Sequence, residues 1–168
     1  PKMNPELTPA IQTLLDREAI RDLRTLYAHH LDSHNIAALD QVFSEDAVVE
    51  VTVGKMEGIA AIRAGLDEAY QLFDRDQRGR YSLMHAITNH WERLTGPDTA
   101  EGHCYLIDFE TTSKPDPNPL LLLGLYTDEY RRIDGQWRIT NTRLEVVWPE
   151  RRDFNHPPST PVTTQQET

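Results

Sequence analysis

The chain has little cysteine, a shortage of positive charge and no long apolar run. One cysteine in 168 residues, Cys104, excludes an internal disulfide and a multi-cysteine zinc site. Seventeen Lys and Arg stand against 27 Asp and Glu, a formal net charge of −10. No basic stripe is present to neutralise phosphates, so nucleic acid is not an expected partner, and an anionic membrane surface is disfavoured as well. No stretch approaches the roughly 18–20 apolar residues that cross a bilayer. The longest, LLLLGLY at 120–126, is the size of a strand. The opening PKMNPELTP lacks the basic-then-apolar pattern of a secretion signal. These absences predict a soluble, cytoplasmic protein. There is no GxSxG and no glycine-rich phosphate loop, and Cys104 lies within a strand pattern. Nucleophilic serine or cysteine chemistry and nucleotide cofactors are therefore not indicated, and no cofactor is expected.

What is present has the length of one domain. Thr8-Pro9 is a helix start, and Ile11, Leu14, Leu15, Ile20, Leu23, Tyr27 and Leu31 then recur at spacings of three and four. That predicts an amphipathic helix ending near Asn35. A short helix, IAALDQVF, follows; FSEDA reads as a turn into the strand VVEVTV; Gly54 and Gly58 bracket a hairpin or turn; IAAIRAGLDEAYQLF is helical through residue 73. After the charged loop DRDQRGR the period becomes two. SLMHAITNHWERL and TAEGHCYLIDFETT are strands around the turn TGPD. SKPDPNP is a loop, and LLLLGLYTDEYRRI and QWRITNTRLEVVW form a hairpin about Asp134-Gly135. Helices first and an antiparallel meander afterwards make an α+β domain, whose curved sheet can enclose an apolar pocket. The domain is expected over 1–149. Residues 150–168, polar and Pro-rich, read as a loose tail or an arm.

Few residues in this layout can carry chemistry. Asp32 falls at or just past the helix end, where the helix dipole disfavours a carboxylate by ~0.3–1 kcal/mol unless something compensates; a solvated, turn-forming Asp fits that position too. In LMHAITNHW alternation puts His85, Ile87, Asn89 and Trp91 on one face, so a His and an Asn stand beside apolar groups. A turn centred on Gly96-Pro97 would oppose His85 directly to Asp108, and a one-residue slip would send Asp108 to the other side. Arg143 shares parity with Trp137 and Ile139 and is expected to point inward opposite Tyr126, where it needs an anion or carboxylate partner. Trp91, Tyr105, Tyr126 and Trp137 are candidates for the pocket wall, with Asn89 as a polar contact. His30 and His34 are four apart, but HLDSH is not HExxH and the helix is ending; no metal is expected.

These residues resemble a known family. REAIRDLRTLYAHHLDSHNIAALDQVFSEDAVVEV, GIAAIRAGL, MHAITN and DGQWRITNTRLEVVW are similar to the corresponding segments of SnoaL-like proteins in the nuclear transport factor 2-like superfamily, over roughly residues 9–149. The resemblance implies a cone-shaped α+β barrel, a curved antiparallel sheet packed against N-terminal helices around a deep pocket. The pattern is nearest to the bile acid 7α-dehydratase and scytalone dehydratase branch, enzymes of elimination built on a His paired with an Asp. On that resemblance His85 is the base, Asp32 orients it, and Tyr27, five residues before Asp32, donates to a carbonyl or departing oxygen. Asp108 assists the leaving hydroxyl, and Arg143 holds Asp108 or an anionic group. His103 is the alternative to Asp108. The related dehydrochlorinase has Lys where this chain has Tyr27, which argues against halide release. The implied function is a cofactor-independent dehydratase acting on an apolar, ring-containing small molecule. An isomerase using the same base, and a non-catalytic module or oxygenase β-subunit, are the alternatives. The resemblance also implies a homo-oligomer, dimer or trimer.

Overall fold

The computed structural model describes residues 7–111 and 119–149. The proposed tail and most of the SKPDPNP loop lie outside the described residues. Helix α1 spans Leu7–Asp32, a 3-10 turn Ile36–Gln41, β1 Phe43–Val51, β2 Gly54–Glu57 and α2 Ile59–Phe73. The strands β3 (Leu83–Gly96), β4 (Thr99–Glu110), β5 (Leu120–Ile133) and β6 (Gln136–Trp148) complete one curved sheet in the order β2-β1-β6-β5-β4-β3. The sheet is open at β2 and β3 rather than closed. It is mixed, because β1 runs parallel to β6 while every other pairing is antiparallel. FSEDA, expected as a turn, is the start of β1, with an irregularity between Phe43 and Val48 against β6.

The end of α1 is set by His34 rather than Asn35. His34 adopts φ 59°. Its N–H reaches Leu31 O at 2.9 Å and the Asn35 N–H reaches His30 O at 2.7 Å, the paired closure of a left-handed helix cap. The His34 ring stacks on Tyr70 at 4.2 Å and bonds Asp67 at 2.6 Å, which ties the end of α1 to α2.

The apolar stripe of α1 divides. Ile20, Leu23, Tyr27 and Leu31 are buried in the core, whereas Ile11, Leu14 and Leu15 are exposed. Between the apolar positions the helix meets the sheet through charge. Arg17 and Arg21 converge on the buried Glu92 of β3. Arg24 is completely buried and grips Asp128 of β5, with a second nitrogen on Thr142 of β6. Asp16 takes the Arg132 guanidinium at 2.8 and 3.0 Å and the Trp137 indole N–H at 3.2 Å. Removing one member of a buried ion pair strands the other and costs about 3–5 kcal/mol, whereas removing both charges together is often close to neutral. Arg24→Met should therefore lower unfolding free energy by about 3–5 kcal/mol in urea titrations. Arg24→Met with Asp128→Leu should recover most of that loss.

Candidate active site

Asp32 is the last residue of α1 and is 7% exposed. His85 of β3 compensates its unfavourable position. The His85 backbone N–H donates to Asp32 Oδ2 at 3.0 Å, and His85 Nδ1 meets Oδ1 at 2.6 Å. One residue thus satisfies both carboxylate oxygens, and the imidazole is held with Nε2 turned toward the sheet. Asp108 stands directly opposite His85 in the β3–β4 register, with Oδ2 3.9 Å from His85 Nε2. Asp108 Oδ1 is buried with no hydrogen-bond partner among the described residues. His103 lies on the outer face, stacked on Trp91 and bonded to Thr127. Of those two, Asp108 is the one that faces the cavity.

His85 and Asp108 line a cavity of about 270 Å³ between α1, α2 and the sheet. Its wall is largely aliphatic, from Leu31, Leu66, Leu83, Leu106, Leu122, Leu144 and Val146, and its polar groups are Tyr27, Tyr70, Tyr126, Thr52, His85 and Asp108. The rings of Tyr27 and Tyr126 meet edge to face at 6.1 Å. Behind them the Arg24 guanidinium lies 3.8 Å from the Tyr126 centroid and 5.0 Å from that of Tyr27.

The charge states follow from this packing. Burial pushes the Asp108 carboxyl up to about 6, with His85 opposing and Asp32 adding to the rise. For His85, burial works against the imidazolium, but the hydrogen bond it donates to Asp32 and the negative charges of Asp108 and Asp32 outweigh it, so its pKa is raised. Burial pushes the Tyr27 phenol up, partly countered by Arg24. An imidazole and a carboxyl, both with raised pKa, thus face the same space. No group of three or more His, Cys, Asp or Glu side chains among the described residues could hold a metal ion.

Several expected positions fall elsewhere, and two bulges explain most of them. The β3–β4 register slips between Thr88 and Trp91, where Asn89 takes φ 51°. An extra residue in a strand reverses which side chains face inward. Beyond it His90 and Glu92 turn in, Trp91 turns out, and Asn89 is exposed, so neither Trp91 nor Asn89 touches the cavity. The second slip separates Tyr130↔Ile139 from Glu129↔Asn141. It puts Leu144, not Arg143, opposite Tyr126, and leaves Arg143 opposite Thr127 on the outer face, away from the cavity. In β4 the inward residues are Cys104, Leu106 and Asp108, so Tyr105 points outward and is 53% exposed. Trp137 is buried, but beside Asp16, near the other end of α1 and about 24 Å along the helix from Asp32. Tyr126 does line the cavity. The Arg24–Asp128 pair beneath the two phenols was missed. Its signal was available: Arg24 is one turn before Tyr27, and Asp128 alternates with Tyr126 and Tyr130.

A model of the SnoaL-like domain matches residues 12–143. The chain belongs to the SnoaL-like family. Across 154 residues it is 27% identical to the terrestric acid biosynthesis cluster protein E of Penicillium crustosum, over 88% of this chain and 92% of that protein. Among solved structures it superposes on a nuclear transport factor 2-like protein with a cystatin-like fold from Novosphingobium aromaticivorans, with TM-score 0.75 and 22% identity, over 89% of this chain and 94% of that one. A scytalone dehydratase-like protein from the same organism matches with TM-score 0.69 and 22% identity, over 94% and 99%. The SnoaL-like chain thus has the nuclear transport factor 2-like fold. None of its described helices is long and apolar enough to cross a membrane.

The raised Asp108 pKa has a consequence for stability. A carboxyl whose folded pKa lies above its unfolded value stabilises fully when protonated, and that contribution is lost as pH rises through the folded pKa, here about 6. Asp108→Asn removes the penalty. Denaturant titrations should show the variant more stable than the parent by on the order of 1–3 kcal/mol at about pH 8, the gain shrinking toward zero by about pH 4.

Proposed function

We propose that this SnoaL-like protein is a cofactor-independent lyase that removes water from an apolar, ring-containing small molecule. The observation that carries this reading is the arrangement of His85 and Asp108 on the wall of a largely apolar cavity, with Asp32 behind His85. Asp32 accepts the Nδ1 proton and so keeps Nε2 bare as a base. His85 Nε2 takes a proton from the carbon next to a carbonyl. The C–H electron pair becomes the new C=C bond, and the C–O bond to the neighbouring hydroxyl breaks. The Asp108 carboxyl supplies the proton with which that hydroxyl departs as water. Transfer from His85 to Asp108 across the 3.9 Å gap restores both groups. Tyr126 donates to the Tyr27 hydroxyl, and Tyr27 in turn donates to the carbonyl oxygen as charge develops on it. Elimination also agrees with the scytalone dehydratase-like neighbour, and small-molecule chemistry with the biosynthesis-cluster relative.

General acid–base groups contribute ~10²–10⁴-fold each. With a panel of uncharged β-hydroxy ketones of fused-ring size, the protein should yield a product lighter by one water. His85→Ala and Asp32→Asn should each lower kcat by about 10²-fold or more while circular dichroism shows the fold retained. A product of unchanged mass would assign isomerisation by the same base, and full turnover in a folded His85→Ala protein would reject the scheme.

A further inference from the structure

One inward position of the sheet carries no side chain. In β5 the inward residues run Leu122, Gly124, Tyr126 and Asp128, and all four are buried. Leu122 and Tyr126 line the cavity and Gly124 does not. A glycine inside a strand packs nothing and costs backbone entropy, so the position needs a reason. Backbone conformation does not supply it, because Gly124 is not among the glycines with positive φ. The irregularity beside it does not either, because the residue left out of the pairing there is Val147 of β6.

The reason is Leu144. A Cβ placed on Gly124 would lie 2.6 Å from Leu144 Cδ1, far inside contact distance, whereas Glu145 O would be at 3.3 Å and Leu122 Cδ1 at 3.4 Å. Leu144 thus leans on bare backbone at Gly124. It is buried in the close-packed core, and the free volume beside it is the cavity that it helps to line. Carbon atoms rest roughly 3.5–4.0 Å apart, so a methyl group at Gly124 would drive the Leu144 side chain about 1 Å toward that volume. At interior packing density a cavity of about 270 Å³ holds roughly 200 Å³ of ligand, the volume of three fused rings. A ligand that fills the cavity would feel the lost depth, and a ligand one ring smaller would not.

We propose that Gly124 sets the size of the ring system the cavity admits, by letting Leu144 lie back against β5. This rests on reading the cavity as the ligand site, and it assigns size selection to a residue that lines no part of it. Gly124 is a positioning residue, and Leu144 is the side chain it positions. Two uncharged probes of different length, 2-naphthol and 9-phenanthrol, test this by equilibrium dialysis against the folded full chain. At about pH 7 a phenol with its ordinary pKa of about 10 is neutral. The parent should bind both. Gly124→Ala should weaken 9-phenanthrol by about tenfold or more and 2-naphthol by less than about threefold. Leu144→Val removes the atom that the new methyl meets, so Gly124→Ala with Leu144→Val conserves volume and should return the ratio to within about twofold of the parent's. A glycine needed only for folding of the strand would lower both affinities together and would not be rescued in this way.

The parental ratio in a folded Gly124→Ala protein, equal weakening of both probes, or no recovery in the double variant would overturn the proposal. If Gly124→Ala alone does not fold, the double variant must fold and bind with the parental ratio, and its failure to do so has the same force. Each probe carries its hydroxyl on an aromatic ring and cannot lose water, so the outcome is independent of turnover. Size selection without dehydration would leave the role of Gly124 standing and remove the lyase reading. Dehydration without size selection would do the reverse, and binding of neither probe would remove the ligand site and the proposal together.

Discussion

The contact between Asp32 and His85 fixes the rest of the site. It joins the end of α1 to β3 through two hydrogen bonds from one residue. Without it a carboxylate would sit at the negative end of a helix in a nearly closed environment, which is unfavourable by dipole and by desolvation. With it, the carboxylate is satisfied and the imidazole has one orientation. That orientation aims Nε2 at Asp108, and burial of Asp108 leaves its carboxyl titrating at about 6. The proposed chemistry is thus a consequence of where one helix stops.

The helix can stop there because charge holds it at several points along its length. Arg17 and Arg21 on Glu92, Arg24 on Asp128 and Asp16 on Arg132 fix α1 against β3 and β5. Buried ion pairs are poor sources of net stability, since desolvation offsets most of the attraction. Their geometric demand is strict, however, because a bidentate guanidinium accepts little displacement. Apolar packing alone would let the helix slide by fractions of an ångström, and the 2.6 Å contact at its end leaves little room for that. One of these pairs, Arg24 on Asp128, also places a fixed cation behind the two phenols that line the cavity.

Much of the architecture was legible in the sequence. The span of α2, the strands β5 and β6 and the hairpin between them follow from periodicity and from Asp134-Gly135. His85 does pair with Asp108, though not from a turn centred on Gly96-Pro97: the turn pairs Gly96 with Thr99, and slips between Leu94 and Gly96 and between Thr88 and Trp91 bring His85 back opposite Asp108. What alternation could not supply was the pair of bulges. Each inserts one residue and inverts the faces beyond it, which removed Trp91 and Asn89 from the cavity in one case and Arg143 in the other. Asn89 itself was a partial signal, because Asn tolerates the left-handed backbone that a bulge can require. The parallel alignment of β1 with β6 is a long-range choice with no local mark. Buried charge was illegible for a different reason: Arg24, Glu92 and Asp128 look like surface residues until their partners are placed. His34 looked incidental and instead closes the helix through a left-handed backbone and a stacked ring.

The central claim is that Asp32 fixes the tautomer and direction of His85. Nitrogen NMR of the His85 imidazole in ¹⁵N-labelled protein, at about pH 8, reads this without any substrate. The account predicts that the ring, in its neutral form, keeps its proton on Nδ1 and leaves Nε2 bare, a preference that is lost in Asp32→Asn. A proton resident on Nε2, or identical ring shifts in the parent and Asp32→Asn proteins, would contradict it.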